Sequence, residues 1–508
     1  MIRNAGQASL AALLRERARS QPEAPAVSDG CVTLSYAQLA ERVHRLAGGL
    51  HRAGLRAGER IAVLSENRLE YLELELAAAT LGAIVACLNW RLAPDELRHC
   101  IRLVTPSAVF VSQRHAGALA SIDHAVSQVV GFGDDFERLR SGAALDPLPD
   151  VEAEAGFVIL YTSGTTGLPK GALISQRAMV ARAMVYAADY GIGRAHGYIA
   201  WSPLFHMAAT DHALATLLLG GHLHLADGLD LERICAVMTS EPVGWLLAMP
   251  GVVEPLIDAL RPLADRLIAP RMVGAMADLL PHQQIAELTR LLRAPYLNSF
   301  GSTETGLPPA SAALLAAGEL PVRLSKRVSS FCQVRLVDAD EREVGVGEPG
   351  ELTLRAPTLF SGYWNAEAAN AQDFRGGWFH MGDLFVRHAD GSLDFVDRLK
   401  YLIKSGGENI YPAEIERVLL AHPAVADGAV VRKRDARWGE VPVAFVALRT
   451  ALDSPTLEAW CRQRLAHYKV PREFHVVDAA ALPRSSTGKI QRHEIERCML
   501  QDERQTQH

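Results

Sequence analysis

The sequence has no cysteine pair of the CxxC kind. Its seven cysteines, Cys31, Cys87, Cys100, Cys235, Cys332, Cys461 and Cys498, are scattered and odd in number. That argues for a reducing compartment and against a structural zinc. An excess of positive charge is also missing. Fifty-two Lys and Arg face 58 Asp and Glu, for a net charge of −6, so there is no electrostatic reason to expect nucleic acid as a partner. The first residues, Met1 to Gln7, contain no apolar h-region, so no secretory signal is expected. The least charged stretch, Leu76 to Trp90, is too short to span a bilayer and reads as a core helix running into a strand. A cytoplasmic protein without integral membrane association is therefore expected. Internal repeats and low-complexity segments are absent too. What remains is a chain of 508 residues, 49% hydrophobic and 22% charged. That is ordinary globular composition on a chain too long for one core, so two or more domains are expected.

Against this background one decapeptide stands out. Thr162-Ser163-Gly164-Thr165-Thr166-Gly167-Leu168-Pro169-Lys170-Gly171 carries four hydroxyls, three glycines and a lysine. The apolar run Phe157 to Tyr161 before it reads as a buried strand. Hydroxyls and bare glycine N–H groups can surround a polyphosphate, and a lysine can neutralise it. Glycine permits the close backbone approach that this requires. The pattern predicts that the chain handles a nucleoside triphosphate. It is not the P-loop G-x-x-x-x-G-K-[ST], because Gly164 is followed by Gly167, and Lys170 by Gly171.

The first part of the chain alternates helix and strand. Ser35 with Gln38 forms a capping box, and Leu39, Val43, Leu46 and Leu50 follow at helical spacing up to Gly54. Ile61 to Leu64 reads as a buried strand, Glu70 to Leu81 as a helix and Ala83 to Leu88 as a strand. This rhythm persists to Val273 and implies parallel sheets covered by helices. Near Glu348-Pro349-Gly350 the character changes. Glu351 to Arg355 alternates polar and apolar, like a half-exposed antiparallel strand, and Leu393 to Asp397 is similar. From about Arg398 a new unit begins. Pro412 to Leu420 and Pro455 to Leu465 read as helices, and Val425 to Arg432 and Val441 to Leu448 as strands. Together they make a compact α+β domain of about 110 residues.

Further motifs follow the decapeptide in order: Trp201-Ser202-Pro203-Leu204-Phe205-His206, then Asn298-Ser299-Phe300-Gly301-Ser302-Thr303-Glu304-Thr305, then Gly377-Trp378-Phe379-His380-Met381-Gly382-Asp383-Leu384, then Asp397-Arg398-Leu399-Lys400 running on to Gly406-Gly407-Glu408-Asn409, and last Pro483-Arg484-Ser485-Ser486-Thr487-Gly488-Lys489-Ile490. With the decapeptide they resemble the core motifs of the adenylate-forming (AMP-binding) superfamily of acyl-CoA synthetases, adenylation domains and luciferases, over nearly the whole chain. Length and motif spacing are most similar to benzoate-type and 4-coumarate-type carboxylate–CoA ligases. The resemblance implies an α/β fold. Its large N-terminal domain, residues 1–397, has mainly parallel sheets covered by helices plus a β-rich subdomain. A hinge at 398–402 and a small mobile α+β domain at 403–508 follow. It also implies a two-step reaction. A carboxylate attacks MgATP to give an acyl-adenylate and pyrophosphate, and the thiol of coenzyme A then displaces AMP.

Roles follow from the same resemblance. Thr162, Ser163, Gly164, Thr165, Thr166, Gly167 and Lys170 would hold the phosphates, with Glu304 and Thr166 on Mg²⁺, a cation that prefers oxygen ligands. Thr303 would contact the α-phosphate. Asn298, Ser299, Phe300 and Gly301 would line the adenine, Asp383 would hold the ribose, and Arg398 would bind ribose or phosphate oxygens. Lys404 and Asn409 match positions near the nucleotide. Lys489 would bridge the carboxylate and the α-phosphate. Lys400 would be the hinge residue, Gly406 and Gly407 would admit the pantetheine arm, and Trp438 and Tyr468 would stack on the coenzyme A nucleotide. His206 sits where the family places a gate beside the acyl carboxylate, and a buried hydrogen-bonded histidine is the equal alternative.

His206, Met207, Ala208, Ala209, Asp211, Gly274, Met276, Phe300 and Gly301 are candidates for the acyl pocket. Most are apolar, which favours an aryl or medium-chain acid over acetate or an amino acid. Two positions depart from the family pattern: Phe300 replaces the commoner Tyr, and Gly274-Ala275-Met276-Ala277 replaces Gly-Gly-Ala-Pro. Two other functions remain open at this point. A stand-alone enzyme could load a carrier protein, none being expected as a fusion because the chain ends 19 residues after Lys489. An inactive nucleotide-binding regulator would be expected to lack Lys489, Glu304 or Asp383, and all three are present. A homodimer is compatible with the sequence, though no motif argues for it.

Overall fold

The computed structural model describes residues 8–162, 168–405, 408–484 and 490–506. Their packing forms two compact units. The first comprises Met1–Asp278, His282–Gln333 and Leu354–Trp378, and the second Leu279–Pro281, Val334–Thr353 and Phe379–His508. The packing division thus places residues 379–397 in the second unit, ahead of the hinge expected at 398–402, which is a statement about motion.

The first unit is built on two sheets. In the six-stranded sheet the order is Gln128–Gly131, Ala108–Val111, Arg60–Leu64, Ile84–Cys87, Gly156–Thr162 and Lys170–Ser175. All neighbours are parallel except the last pair. Ile61–Leu64, Ile84–Cys87 and Phe157–Leu160 are buried throughout, as parallel strands covered on both faces must be. The eight-stranded sheet places Pro25–Ser28, Leu223–Leu225, Gly197–Ala200, Val243–Leu246, Met272–Val273 and Tyr296–Leu297 side by side and parallel. Antiparallel Thr33–Ser35 and Leu314–Leu315 form its edges.

Local signals account for the covering helices. Ser35 caps Tyr36–Arg52 in the predicted box with Gln38, and Leu39, Val43, Leu46 and Leu50 face the core. Leu69–Leu81 is buried almost all round and stops at Gly82, whose φ of 70° favours glycine. Among the described residues no helix is long and apolar enough to cross a membrane.

The parallel arrangement positions the site. The carboxyl ends of Gly197–Ala200, Met272–Val273 and Tyr296–Leu297 point the same way. The motifs that follow them, Trp201–His206, Gly274–Ala277 and Asn298–Glu304, therefore leave the sheet at its carboxyl-terminal end, where open α/β sheets bind ligands.

The second unit contains a four-stranded sheet, ordered Gln333–Val337, Pro349–Arg355, Phe379–Arg387, Leu393–Arg398, and a five-stranded one. In the five-stranded sheet Glu408–Ile410, Ile403–Ser405, Gly439–Leu448 and Val425–Asp435 run antiparallel, and Glu473–Val476 adds parallel to Gly439–Leu448. Helices Pro412–Leu420 and Ser454–Arg462 close one core with Ile403, Ile410, Val430 and Val446. One strand departs from expectation. Glu351–Arg355 is not half exposed, because Glu351 and Thr353 are buried along with Leu352 and Leu354. The Glu351 carboxylate accepts from His380 Nδ1 at 3.0 Å and from the Gly382 N–H at 3.1 Å, which offsets the cost of removing it from water.

Candidate active site

Thr162 and Lys170 are partners across the antiparallel pair Gly156–Thr162 and Lys170–Ser175, so the decapeptide closes a hairpin. Ser163, Gly164, Thr165, Thr166 and Gly167 lie outside the described residues. The return limb is tied by His99 Nε2, 3.1 Å from the Pro169 carbonyl. Lys170 Nζ lies 3.6 Å from the Asp373 carboxylate and 3.7 Å from the centroid of the Tyr363 ring. The Tyr363 hydroxyl donates to Glu304 Oε1 at 2.8 Å. The two charged groups assigned to phosphate and metal are thus joined through one tyrosine. Burial pushes the Asp373 carboxyl up, and Lys170 opposes this. Sequence reasoning missed Tyr363 and Asp373. Tyr363 reaches the site through a bridge to Ala172, a contact with no local signature.

The donor set at Glu304 fits Mg²⁺. It is a hard carboxylate with one oxygen steadied by the Tyr363 hydroxyl, and oxygen is what Mg²⁺ prefers.

The Glu304 segment is held from behind. Gly301–Ser302 pairs with Gly306–Pro309, and a side chain at 301 would meet the Gly306 carbonyl at 2.0 Å, so only glycine fits. Arg182 Nη2 donates to the Thr303 carbonyl at 3.0 Å and Nε to the Thr358 carbonyl at 3.1 Å. Its Nη1 donates to both Asp211 oxygens at 3.0 Å. Both side chains are 1% exposed. Asp211, expected in the acyl pocket, is therefore a buried counter-ion. Burial pushes its carboxyl up, and Arg182 opposes this through charge and hydrogen bonds.

The Gly274–Met276 turn is clamped on three sides. Trp245 Nε1 donates to the Gly274 carbonyl at 2.7 Å. The Tyr296 hydroxyl donates to the Ala275 carbonyl at 2.8 Å and accepts from the Ala275 N–H at 3.1 Å. The Met276 N–H donates to Ser299 Oγ at 3.0 Å. A side chain at 274 would meet the Tyr296 ring at 2.0 Å. Met276 has a φ of 51°, a left-handed conformation that is strained for a long side chain. Ser299 thus anchors the Gly274–Met276 turn. Asn298 is a framework residue as well: it is buried, its Nδ2 donates to the Leu324 and Ser325 carbonyls, and its Oδ1 accepts from Lys326 Nζ. Phe300 is partly buried, and its N–H donates to Ser311 Oγ at 2.8 Å.

His206 is the N-cap residue of helix Met207–Leu219, with Met207 and Ala208 half-buried in its first turn. Its ring lies 4.6 Å from that of Phe205. Burial, then the charge of Arg91, pushes its pKa down to about 4, so the imidazole is neutral at ordinary pH.

In the second unit Asp383 and Arg398 face each other on adjacent strands. Arg398 Nε donates to Asp383 Oδ1 at 3.1 Å. Asp383 is buried and Arg398 half-exposed. The pair assigned to ribose is thus assembled by one hairpin.

The AMP-binding enzyme family model matches residues 14–364, and that of the AMP-binding enzyme C-terminal domain matches residues 414–489. This chain belongs to the AMP-binding enzyme family. Feruloyl-CoA synthase of Amycolatopsis sp. is 35% identical to it over 488 residues, covering 95% of this chain and 97% of that protein. Indoleacetate–CoA ligase of Aromatoleum aromaticum is 34% identical over 478 residues, covering 91% and 92%. Among solved structures, o-succinylbenzoate CoA synthetase from Bacillus subtilis in complex with its acyl-adenylate intermediate matches with a TM-score of 0.82 at 27% identity, covering 95% and 97%.

In this AMP-binding enzyme the segment around Arg398 carries a network that sequence reasoning missed. Asp397 is fully buried and accepts from the Arg398 N–H at 2.7 Å, the Ala413 N–H at 2.6 Å and Arg492 Nη1 at 3.3 Å. It caps the start of Pro412–Leu420, where an acid also meets the helix dipole. Lys400 lies in a one-turn helix, its Nζ 4.8 Å from the Tyr401 ring, and Arg492 lies 4.9 Å from the same ring. Burial pushes the Lys400 amine down. Lys404 and Asn409 are cross-strand partners. Trp438 and Tyr468 are 37% and 42% exposed, so they are surface rings rather than core aromatics. Gly406, Gly407 and Lys489 lie outside the described residues, although Arg484 and Ile490 form a bridge on either side of the Lys489 segment.

Proposed function

We propose that the acid activated by this ATP-dependent carboxylate–CoA ligase is aromatic, or carries an aryl group near its carboxyl. The observation that carries this is the locking of Asp211 onto Arg182. It leaves the expected pocket with no carboxylate for an ammonium group, among candidates that are mostly apolar. The relatives named above are a feruloyl-CoA synthase and an indoleacetate–CoA ligase, which agrees. A cytoplasmic setting is part of this reading, supported by seven scattered cysteines without a pairing pattern.

In the first half-reaction Lys170 and the hydroxyls of its loop would bind the phosphates, and Asp383 with Arg398 would orient the ribose. Mg²⁺ held by Glu304 and Thr166 would neutralise phosphate charge when bound. Lys489 would stabilise the charge developing between acid and α-phosphate. The neutral His206 would let the acid carboxylate pass without competing for it as a cation. For the second half-reaction we place the hinge at Lys400 and the coenzyme A nucleotide at Trp438. Lys433, Arg434, Arg437 and Arg472 line a concavity with Trp438, and such cations suit the phosphates of that ligand.

Pyrophosphate release measured with MgATP across benzoates, cinnamates, arylacetates and C4–C12 acids, with and without coenzyme A, tests the reading. Aryl-dependent release with a thioester only in the presence of coenzyme A supports it. Release confined to aliphatic acids overturns the aryl assignment, and release without thioester redirects the acceptor to a carrier protein. Two variants refine it. Trp438→Ala is expected to raise the KM for coenzyme A about tenfold, from the loss of base stacking worth about 1–3 kcal/mol, while pyrophosphate release stays unchanged. Met276→Gly is expected to relieve the left-handed strain and widen the wall. In steady-state assays it should raise the kcat/KM ratio of cinnamate to benzoate by about tenfold or more.

A further inference from the structure

We propose that His222, His224 and Glu241 form a binding site for a divalent transition cation, zinc above all, at the end of the eight-stranded sheet away from the catalytic motifs. His222 immediately precedes strand Leu223–Leu225 and His224 lies within it, so the two share a face. Glu241 ends helix Leu231–Ser240, its N–H closing on the Val237 carbonyl, and Pro242 leads into strand Val243–Leu246. Both segments are pinned to the start of Gly197–Ala200: the Tyr198 N–H donates to the His222 carbonyl at 3.0 Å, and the Gly197 N–H to the Pro242 carbonyl at 2.8 Å. The donors therefore stand on sheet backbone at the amino-terminal end of parallel strands. The motifs after Ala200, Val273 and Leu297 leave from the carboxyl-terminal end.

Glu241 Oε2 lies 2.9 Å from His222 Nδ1 and 3.2 Å from His224 Nε2. All three donor atoms lie within 4.8 Å of one another, and the two rings are 4.0 Å apart between centroids. In a tetrahedral zinc site with bonds of about 2.0–2.1 Å, ligand atoms stand about 3.3 Å apart, so small side-chain shifts would admit the ion. Two imidazoles and a carboxylate are a borderline donor set that suits zinc, nickel and copper better than magnesium. The fourth position would fall to water. The side chains are 13%, 6% and 35% exposed, so the site is sheltered and reached past Glu241. Arg233, whose charge also acts on His224, donates to the Ser28 carbonyl at 2.7 Å. The absence of CxxC pairs excludes only a thiolate zinc site, and none of the seven cysteines belongs to this cluster.

The test is calorimetric titration of chelator-stripped, full-length protein with Zn²⁺ in excess Mg²⁺. One ion per chain is expected, lost in His224→Ala and weakened in Glu241→Gln. Outer-shell changes alone cost about 10–100-fold in affinity, so loss of this direct ligand should cost at least as much. Glu304→Gln should keep the ion, which separates this site from the catalytic one. Glu241 is the most exposed of the three, and Gln preserves its shape, so that variant is informative even if His224→Ala fails to fold. Co²⁺ should give a visible spectrum without thiolate charge transfer. Failure to bind, binding unchanged in Glu241→Gln, or a thiolate band would overturn the proposal.

Discussion

Lys489→Ala is expected to lower acid-dependent pyrophosphate release by about 10²–10³-fold or more. Thioester formation from a supplied acyl-adenylate and coenzyme A should fall far less. The first half-reaction brings a carboxylate against a polyanion, and a preorganised cation is worth most where charge develops in flight. The second half-reaction starts from an adenylate already formed, and its attacking group is a thiol. The assignment rests on the segment Pro483 to Lys489 and its resemblance to the family motif. Lys489→Arg keeps the charge but spreads it over a planar fork, so it should restore only part of the rate. Single-turnover assays of the two half-reactions decide the matter. An equal loss in both would mark a structural residue, and no loss in either would mark a solvated surface lysine.

Arg182→Met is expected to destabilise the first unit by about 3–5 kcal/mol, the usual cost of leaving one buried charge without its partner. It would leave Asp211 unpaired in a site where both side chains are 1% exposed. The double variant Arg182→Met/Asp211→Leu should recover most of that loss, since an apolar pair of similar volume often matches a buried ion pair. Activity should not recover with it. The Thr303 and Thr358 carbonyls would still lack the donors that Arg182 supplies, and the strand leading to Glu304 would lose its anchor. Melting midpoints read the first effect, and the KM for ATP against kcat reads the second. Recovery of both together would reduce Arg182 to packing alone.

Much of the site is legible in the sequence, and for identifiable reasons. The decapeptide at 162–171 is contiguous in sequence, so its hydroxyls, glycines and lysine suggest phosphate chemistry without help from the fold. Asp383 and Arg398 are each named from their own motif, and one hairpin brings their side chains together. The misses share a different character. Tyr363 joins Lys170 to Glu304 from 59 residues beyond the latter. Nothing in the segment around Tyr363 indicates which tyrosine face or hydroxyl a distant charge will use. Asn298 sits in a motif for nucleotide contact, yet its amide is spent on Leu324, Ser325 and Lys326.

Taken alone, the sequence determined the alternation of parallel strands and helices, the capping box at Ser35, the helix over Glu70–Leu81 and the order of the motifs. Periodicity, capping and backbone conformation act over a few residues and are written where they act. Only the tertiary structure decided that Asp211 is a counter-ion rather than a pocket wall, that Glu351 is buried by His380 rather than solvated, and that His222, His224 and Glu241 converge. An acidic or imidazole side chain looks the same in sequence whether it faces water, a ligand or another charge. The choice is made by partners far along the chain, through the cost of burying a polar group unpaired.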